Sequence, residues 1–274
     1  MNLLESLIYG LISGISEFLP ISCQGHQALV KQIFGAASAE PVREIFVHLA
    51  MLIAVILASN TYLDRIKREQ KLRSSRKRGL QSDRTISQEL RLIRTASIPM
   101  LIGMLLFIFV GKLGNNLGWL TLFFVVNGLI LYIPEHLAQA NKGAGQLGPM
   151  DSLLIGVFGG LSFLPGISRV GGSLSCAIAR GADQKKAYNW ILILSIPALI
   201  LFILLDIVSI FTTGFGHITL LGIVGYLISA LAAFGSAFAG IYFMRRLVSQ
   251  SSITFFSFYC WGVALLSFFL YLFV

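Results

Sequence analysis

The chain is short of charge. Only 12% of its 274 residues are Asp, Glu, Lys or Arg, and the acids are scarcest, at twelve. An ordinary soluble domain carries roughly 25% charged residues. Here 56% of residues are hydrophobic and the mean hydropathy is +0.81. A soluble fold of this size cannot hide so much apolar surface, so an average globular domain is excluded. Cysteine is also sparse. Cys23, Cys176 and Cys260 all fall in apolar stretches, and an odd, irregularly spaced set excludes a disulfide framework and a cysteine zinc site. The first residues, MNLLESLIYG, lack the basic segment of a cleaved signal peptide and are expected to stay in the mature chain.

What is present is a series of apolar stretches of about 20 residues, the length that crosses a bilayer core. Six read as full spans: about 44–62, 95–112, 117–136, 187–212, 218–243 and 254–274. Two more, about 3–22 and 152–168, are shorter and interrupted by Gly and Pro. Most of the net charge of +9 sits in one segment, 64–94, where eleven Lys and Arg face four acids. A basic loop between spans marks the cytoplasmic side and can touch anionic headgroups. No aromatic pattern or motif accompanies the charge, so nucleic acid is not expected as a partner.

The two interrupted stretches are related. Gly10-Leu-Ile-Ser-Gly14-Ile-Ser16 parallels Gly156-Val-Phe-Gly-Gly160-Leu-Ser162, and Phe18-Leu-Pro20 parallels Phe163-Leu-Pro165. Ser22 and Gly25 then parallel Ser168 and Gly171. Interrupted apolar segments at matching places in two halves point to a substrate site in proteins built from inverted repeats. The positive charges give the orientation. Loop 64–94, the group Arg180, Lys185 and Lys186, and the pair Arg245 and Arg246 all belong inside. Residues 1–43 must then start and finish outside, and residues 152–186 inside. The expected fold is an all-α polytopic membrane protein of two inverted-topology repeats, about 1–140 and 150–274. Each repeat is a re-entrant helical hairpin followed by three transmembrane helices, within a single integral-membrane domain. Both termini are expected outside. The hairpin loops, 19–26 and 164–173, should meet and form a pocket, because re-entrant backbone survives at membrane depth only inside protein or beside a wet cavity.

An ionisable group in a bilayer needs a reason. Glu17 and His26 lie in the first hairpin and Arg169 in the second. Arg169 stands between Pro165-Gly166-Ile167-Ser168 and Gly171-Gly172-Ser173. A guanidinium beside Gly-rich backbone, hydroxyls and a helix N-terminus suits an anion such as phosphate. A structural Arg169–Glu17 ion pair is the other reading. His48, near the outer end of its span, is a further pocket candidate, whereas Asp206 reads as interfacial.

SGISEFLPISCQGH (13–26) and PGISRVGGS (165–173) resemble the two signature motifs of the undecaprenyl-pyrophosphate phosphatase, or bacitracin-resistance, family. The likeness extends over almost the whole chain. Three positions depart from the pattern: Ser13 replaces an acid, Cys23 stands where the family has its proposed nucleophilic serine, and Val170 replaces a serine. The resemblance implies a hydrolase in a bacterial or archaeal inner membrane, with its pocket open to the outer face. It would convert undecaprenyl pyrophosphate to the monophosphate and inorganic phosphate, recycling the lipid carrier for cell-wall synthesis and giving bacitracin resistance. Glu17, Cys23, His26 and Arg169 are the catalytic residues implied. Ser13, Ser22, Gln24, Gly25, Gly166, Ser168, Gly171, Gly172 and Ser173 would surround the substrate. Glu17 is also the implied ligand of a divalent cation, Mg or Ca. The expected partners are the polyprenyl pyrophosphate, membrane lipids and a second copy in a homodimer. The alternative is a paralogue that binds or flips polyprenyl phosphate without cleaving it.

Overall fold

A computed structural model of the protein describes residues 3–34, 41–74, 84–137, 142–214, 219–249 and 253–273. Every regular element among them is helical. The chain opens with a helix–turn–helix hairpin, α1 (Leu3–Phe18) and α2 (Cys23–Ile33), followed by α3 (Pro41–Ala58), α4 (Asn60–Ser74), α5 (Arg84–Leu105), the short α6 (Phe107–Val110) and α7 (Leu117–Leu137). A second hairpin follows, α8 (Pro149–Gly160) and α9 (Arg169–Ala179), and then α10 (Gln184–Thr213), α11 (Leu220–Leu247) and α12 (Phe255–Phe273).

Five of these helices, α3, α7, α10, α11 and α12, are long and apolar enough to cross a membrane. Their outward faces carry exposed Leu, Ile and Phe, among them Phe211, Leu220 and Leu231. Water would oppose such a surface and lipid accommodates it.

Three expectations need correction. The span anticipated at 95–112 is broken: α5 starts at Arg84, in the charged segment, and stops at Leu105, before α6 and a 3-10 turn at Gly111–Asn115. Backbone propensity carries the helix out through residues that are too charged to count as a span. The anticipated basic loop 64–94 is helical at both ends, in α4 and the start of α5, while its residues 75–83 lie outside the described residues. Lastly, the loops at 19–26 and 164–173 are shorter than expected, because helices begin within them at Cys23 and Arg169. Ser22 and Ser168 cap those helices, each hydroxyl accepting the backbone N–H three residues on, at 3.3 Å from Gly25 and 3.1 Å from Gly171.

The two hairpins pack alike. α1 lies along α11, and α8 lies along α5. Glycine permits both approaches: a Cβ at Gly10 would stand 2.2 Å from the Ser229 carbonyl oxygen, and one at Gly156 would stand 2.1 Å from that of Ala96. Small residues at such spacing let membrane helices touch backbone to backbone. α9 is enclosed on nearly every side, with all residues from Arg169 to Ile178 buried. Its polar backbone is thus housed by protein, as membrane depth demands.

Candidate functional site

The turns of the hairpins interlock. The Ser22 hydroxyl also accepts from the Gly166 N–H at 3.1 Å, and the Ser168 hydroxyl donates to the Leu19 carbonyl at 3.3 Å. Each capping serine therefore reaches into the opposite hairpin. Asn127, fully buried on α7, ties both turns together: its Oδ1 accepts from the Ser168 N–H at 2.8 Å and its Nδ2 donates to the Pro20 carbonyl at 3.0 Å. Tyr188 on α10 adds a bond to the Phe18 carbonyl at 3.1 Å.

Two backbone torsions record the tightness of this junction. Gly166 sits at φ +113°, in a region open mainly to glycine. Ser22, at φ 71°, is the positive-φ non-glycine residue among the described ones. A strained residue of this kind costs about 1–3 kcal/mol and persists where the surroundings fix it, commonly at functional sites.

Between the turns lies a cavity lined by Ser16, Glu17, Ser22, Cys23, Gln24, Ser162, Ile167, Ser168, Arg169 and Phe202. The N-termini of α2 and α9 both open on it. Arg169 pairs with Glu17 through Nη2 and donates from Nη1 to the Ser195 hydroxyl at 2.8 Å. Its Nε, however, is buried without a hydrogen-bond partner, and so is the Ser162 hydroxyl. Two orphaned polar groups at one cavity are costly unless something else binds there. A guanidinium donor, two helix N-termini and several hydroxyls at one cavity are chemically suited to an anion.

Of the residues anticipated from sequence, Glu17, Ser22, Cys23, Gln24, Ser168 and Arg169 meet at the cavity. Of the two readings of Arg169, the ion pair with Glu17 is formed, at a residue that also lines the cavity. Gly25 and Gly166 face each other across the turn junction, and Gly171 donates to the Ser168 cap. Gly172 packs on Phe158, and Ser173 is occupied with the Ile155 carbonyl at 3.1 Å. Ser13 accepts from Gln27 at 3.0 Å, inside the α1–α2 contact. The Cys23 thiol donates to the Ser13 carbonyl at 3.4 Å. His26 lies apart: Nδ1 donates to the Ser22 carbonyl at 2.8 Å, Nε2 accepts from the Tyr259 hydroxyl at 2.9 Å, and the ring stacks on Tyr259. Glu17 is the cavity's single carboxylate and is already held by Arg169. No cluster of three or more His, Cys, Asp or Glu suited to a metal occurs among the described residues. This donor set does not fit a resident divalent cation.

Sequence reasoning missed Asn127 and Ser195. The signal for Asn127 was an amide in the middle of an apolar span, where a polar side chain needs a partner. A second buried polar group also escaped. Glu44 accepts from the Tyr9 hydroxyl at 2.5 Å and from Lys31 at 3.2 Å, and the Arg43 guanidinium lies 4.2 Å from the Tyr9 ring centroid. Asp206 binds His48 at 2.6 Å with its side chain 17% exposed.

The profile of the family described as bacitracin resistance protein BacA matches residues 6–266. A protein of Carboxydothermus hydrogenoformans named undecaprenyl-diphosphatase is 30% identical over 269 residues, covering 97% of each chain. One from Halothermothrix orenii with the same name is 28% identical over 97% of each chain. Undecaprenyl-diphosphatase 1 of Shouchella clausii is 31% identical, over 98% of this chain and 96% of its own.

Proposed function

The chain belongs to the bacitracin resistance protein family, and on that premise we propose that it is a multi-pass membrane hydrolase removing the terminal phosphate of undecaprenyl pyrophosphate. The observation that carries this reading is Arg169, whose buried Nε has no hydrogen-bond partner, in the lining of a cavity onto which two serine-capped helix N-termini open. The pyrophosphate supplies the missing acceptor. Arg169 and the N–H groups opening α2 and α9 hold its charge, and Ser22 and Ser168 fix those helix ends in register. Glu17 and Ser195 aim the guanidinium from two sides. Such preorganised donors act where charge grows on the transferring phosphoryl group, in a site largely shut off from water.

Water is the attacking group in this scheme. The Cys23 proton is committed to the Ser13 carbonyl, so the thiol serves as a wall of the cavity. The matching hairpins support an inverted repeat in the inner membrane, the α1–α2 hairpin entering from the outer face and the α8–α9 hairpin from the cytoplasmic one. The tail of the lipid would lie among the exposed aliphatic side chains while its headgroup enters from outside.

Phosphate release from undecaprenyl pyrophosphate by detergent-purified protein tests the reading, with Arg169→Ala and Glu17→Gln as controls. Steady release that collapses in Arg169→Ala is expected. Lipid binding without release would overturn hydrolysis in favour of a carrier or flippase.

A further inference from the structure

A serine inside a helix can bond its hydroxyl to the carbonyl four residues back. The chain does this repeatedly: Ser16 on Ile12 at 2.5 Å, Ser97 on Ile93 at 2.8 Å and Ser195 on Ile191 at 2.9 Å. Ser162 does not. It stands at the place in the second hairpin that Ser16 holds in the first, and both line the cavity. In the first hairpin α1 runs on to Phe18, so the Ile12 carbonyl stays within reach of Ser16. In the second, α8 ends at Gly160 and Leu161–Phe163 wind as a 3-10 turn. The tighter winding takes residue 162 out of register with the carbonyl four before it. That carbonyl, of Phe158, is instead covered by Gly172 of α9, where a Cβ would stand 2.3 Å from its oxygen.

The Ser162 hydroxyl is therefore left over. The residue is 6% exposed, and its oxygen is buried with no hydrogen-bond partner among the described residues. The hydroxyls of the other cavity serines, Ser16, Ser22 and Ser168, all have partners. Orphaned hydroxyls also occur at Ser59, Ser175 and Ser257, but none of those residues lines the cavity. Ser162 shares the lining with Arg169, whose Nε is the other buried side-chain atom there without a partner. A serine side chain extends one bond past Cβ, so the hydroxyl of a lining residue lies at the cavity margin, where its proton turns to meet an acceptor.

We propose that Ser162 is a substrate-binding residue, donating its hydroxyl to a phosphate oxygen of the pyrophosphate held by Arg169, a role that rests on the hydrolase reading. An anionic oxygen is the acceptor this donor lacks, and a hydroxyl bonded to such an oxygen makes one of the stronger hydrogen bonds. Ser162 holds the ligand and transfers no proton. The second hairpin thereby supplies contacts from both sides of its Pro165-Gly166 turn, whereas the matching hydroxyl of the first hairpin is committed to its own helix. A donor without an acceptor is a burden on the empty protein. Removing it should therefore reduce affinity without reducing stability, the reverse of what loss of a structural serine does.

The test is binding of tritiated farnesyl methylene-bisphosphonate, a diphosphate that cannot be hydrolysed, to the detergent-purified full-length protein, alongside thermal unfolding without ligand. Ser162→Ala should weaken binding by about tenfold or more and leave the ligand-free melting temperature at or above that of the wild type. In phosphate release from farnesyl pyrophosphate, its KM should rise by a similar factor while kcat changes less. Ser257→Ala, which removes an orphaned hydroxyl away from the cavity, should leave binding unchanged. Wild-type affinity in Ser162→Ala would overturn the proposal, the hydroxyl then meeting water only. A lowered ligand-free melting temperature, or a variant that does not fold, would overturn it too, by showing that the hydroxyl has a structural task. A wild type that binds the bisphosphonate through Ser162 yet releases no phosphate would overturn hydrolysis and leave the contact standing. A wild type that does neither would overturn both.

Discussion

The two hairpins share a scaffold and divide the chemistry. Each has a glycine-bearing first helix packed on a long helix of the other half, a Phe-Leu-Pro turn, and a serine cap that reaches across to its counterpart. The first hairpin contributes the carboxylate, Glu17, and the thiol, Cys23. The second contributes the guanidinium, Arg169. The matching turns bring two helix N-termini together, and one positive charge and one negative charge face each other there. The turn geometry is common to both hairpins, whereas the cavity's guanidinium comes from the second.

That asymmetry predicts the largest effect at Arg169. Arg169→Ala should lower phosphate release by about 10²–10³-fold, the usual consequence of removing one preorganised donor. It should also destabilise the protein by about 3–5 kcal/mol, because Glu17 is left buried without its partner. Release assays and thermal unfolding in detergent check both parts, and an Arg169→Ala protein with near-normal turnover would erase the distinction between the hairpins. Next is the turn of the second hairpin. Gly166→Ala would force a side chain into positive φ, with its Cβ 2.7 Å from that of Phe123. A lowered melting temperature is expected, together with activity lost in proportion to the folded fraction.

Smaller effects belong to the first hairpin. Cys23→Ala and Cys23→Ser should both keep turnover within about tenfold, well short of the loss that follows when a member of a catalytic unit is removed. Total loss in Cys23→Ala with retention in Cys23→Ser would instead assign covalent attack to this hairpin. Smallest of all, Ser22→Ala and Ser168→Ala should each cost about 1 kcal/mol of stability as lost helix caps. Nearly equal costs would sharpen the likeness of the two turns, and a large difference would break it.

Much of this was legible beforehand for physical reasons. The matched Gly and Phe-Leu-Pro series located both hairpins, because close helix contact and a tight turn each restrict residue type. Arg169, Glu17 and Ser168 could be picked out because charge and polarity inside an apolar context need a purpose. The broken span after Leu105 was hidden, since hydropathy registers apolar content and not where a helix starts in charged sequence. The sequence favoured His26, in the first motif, over His48; the fold shows His26 hydrogen-bonded to Ser22 and Tyr259 and His48 beside Phe202. Asn127 required the third dimension, because its partners at Pro20 and Ser168 lie far away in the chain.

The most direct test of two half-membrane hairpins meeting from opposite sides is labelling of single introduced cysteines in intact cells with a membrane-impermeant maleimide. Phe34→Cys, at the exposed end of α2, and Lys185→Cys, exposed just after α9, are the informative pair; the native cysteines are buried. Labelling of position 34 in whole cells, and of position 185 only after lysis, is the predicted result. Labelling of both positions from the same side would contradict the account.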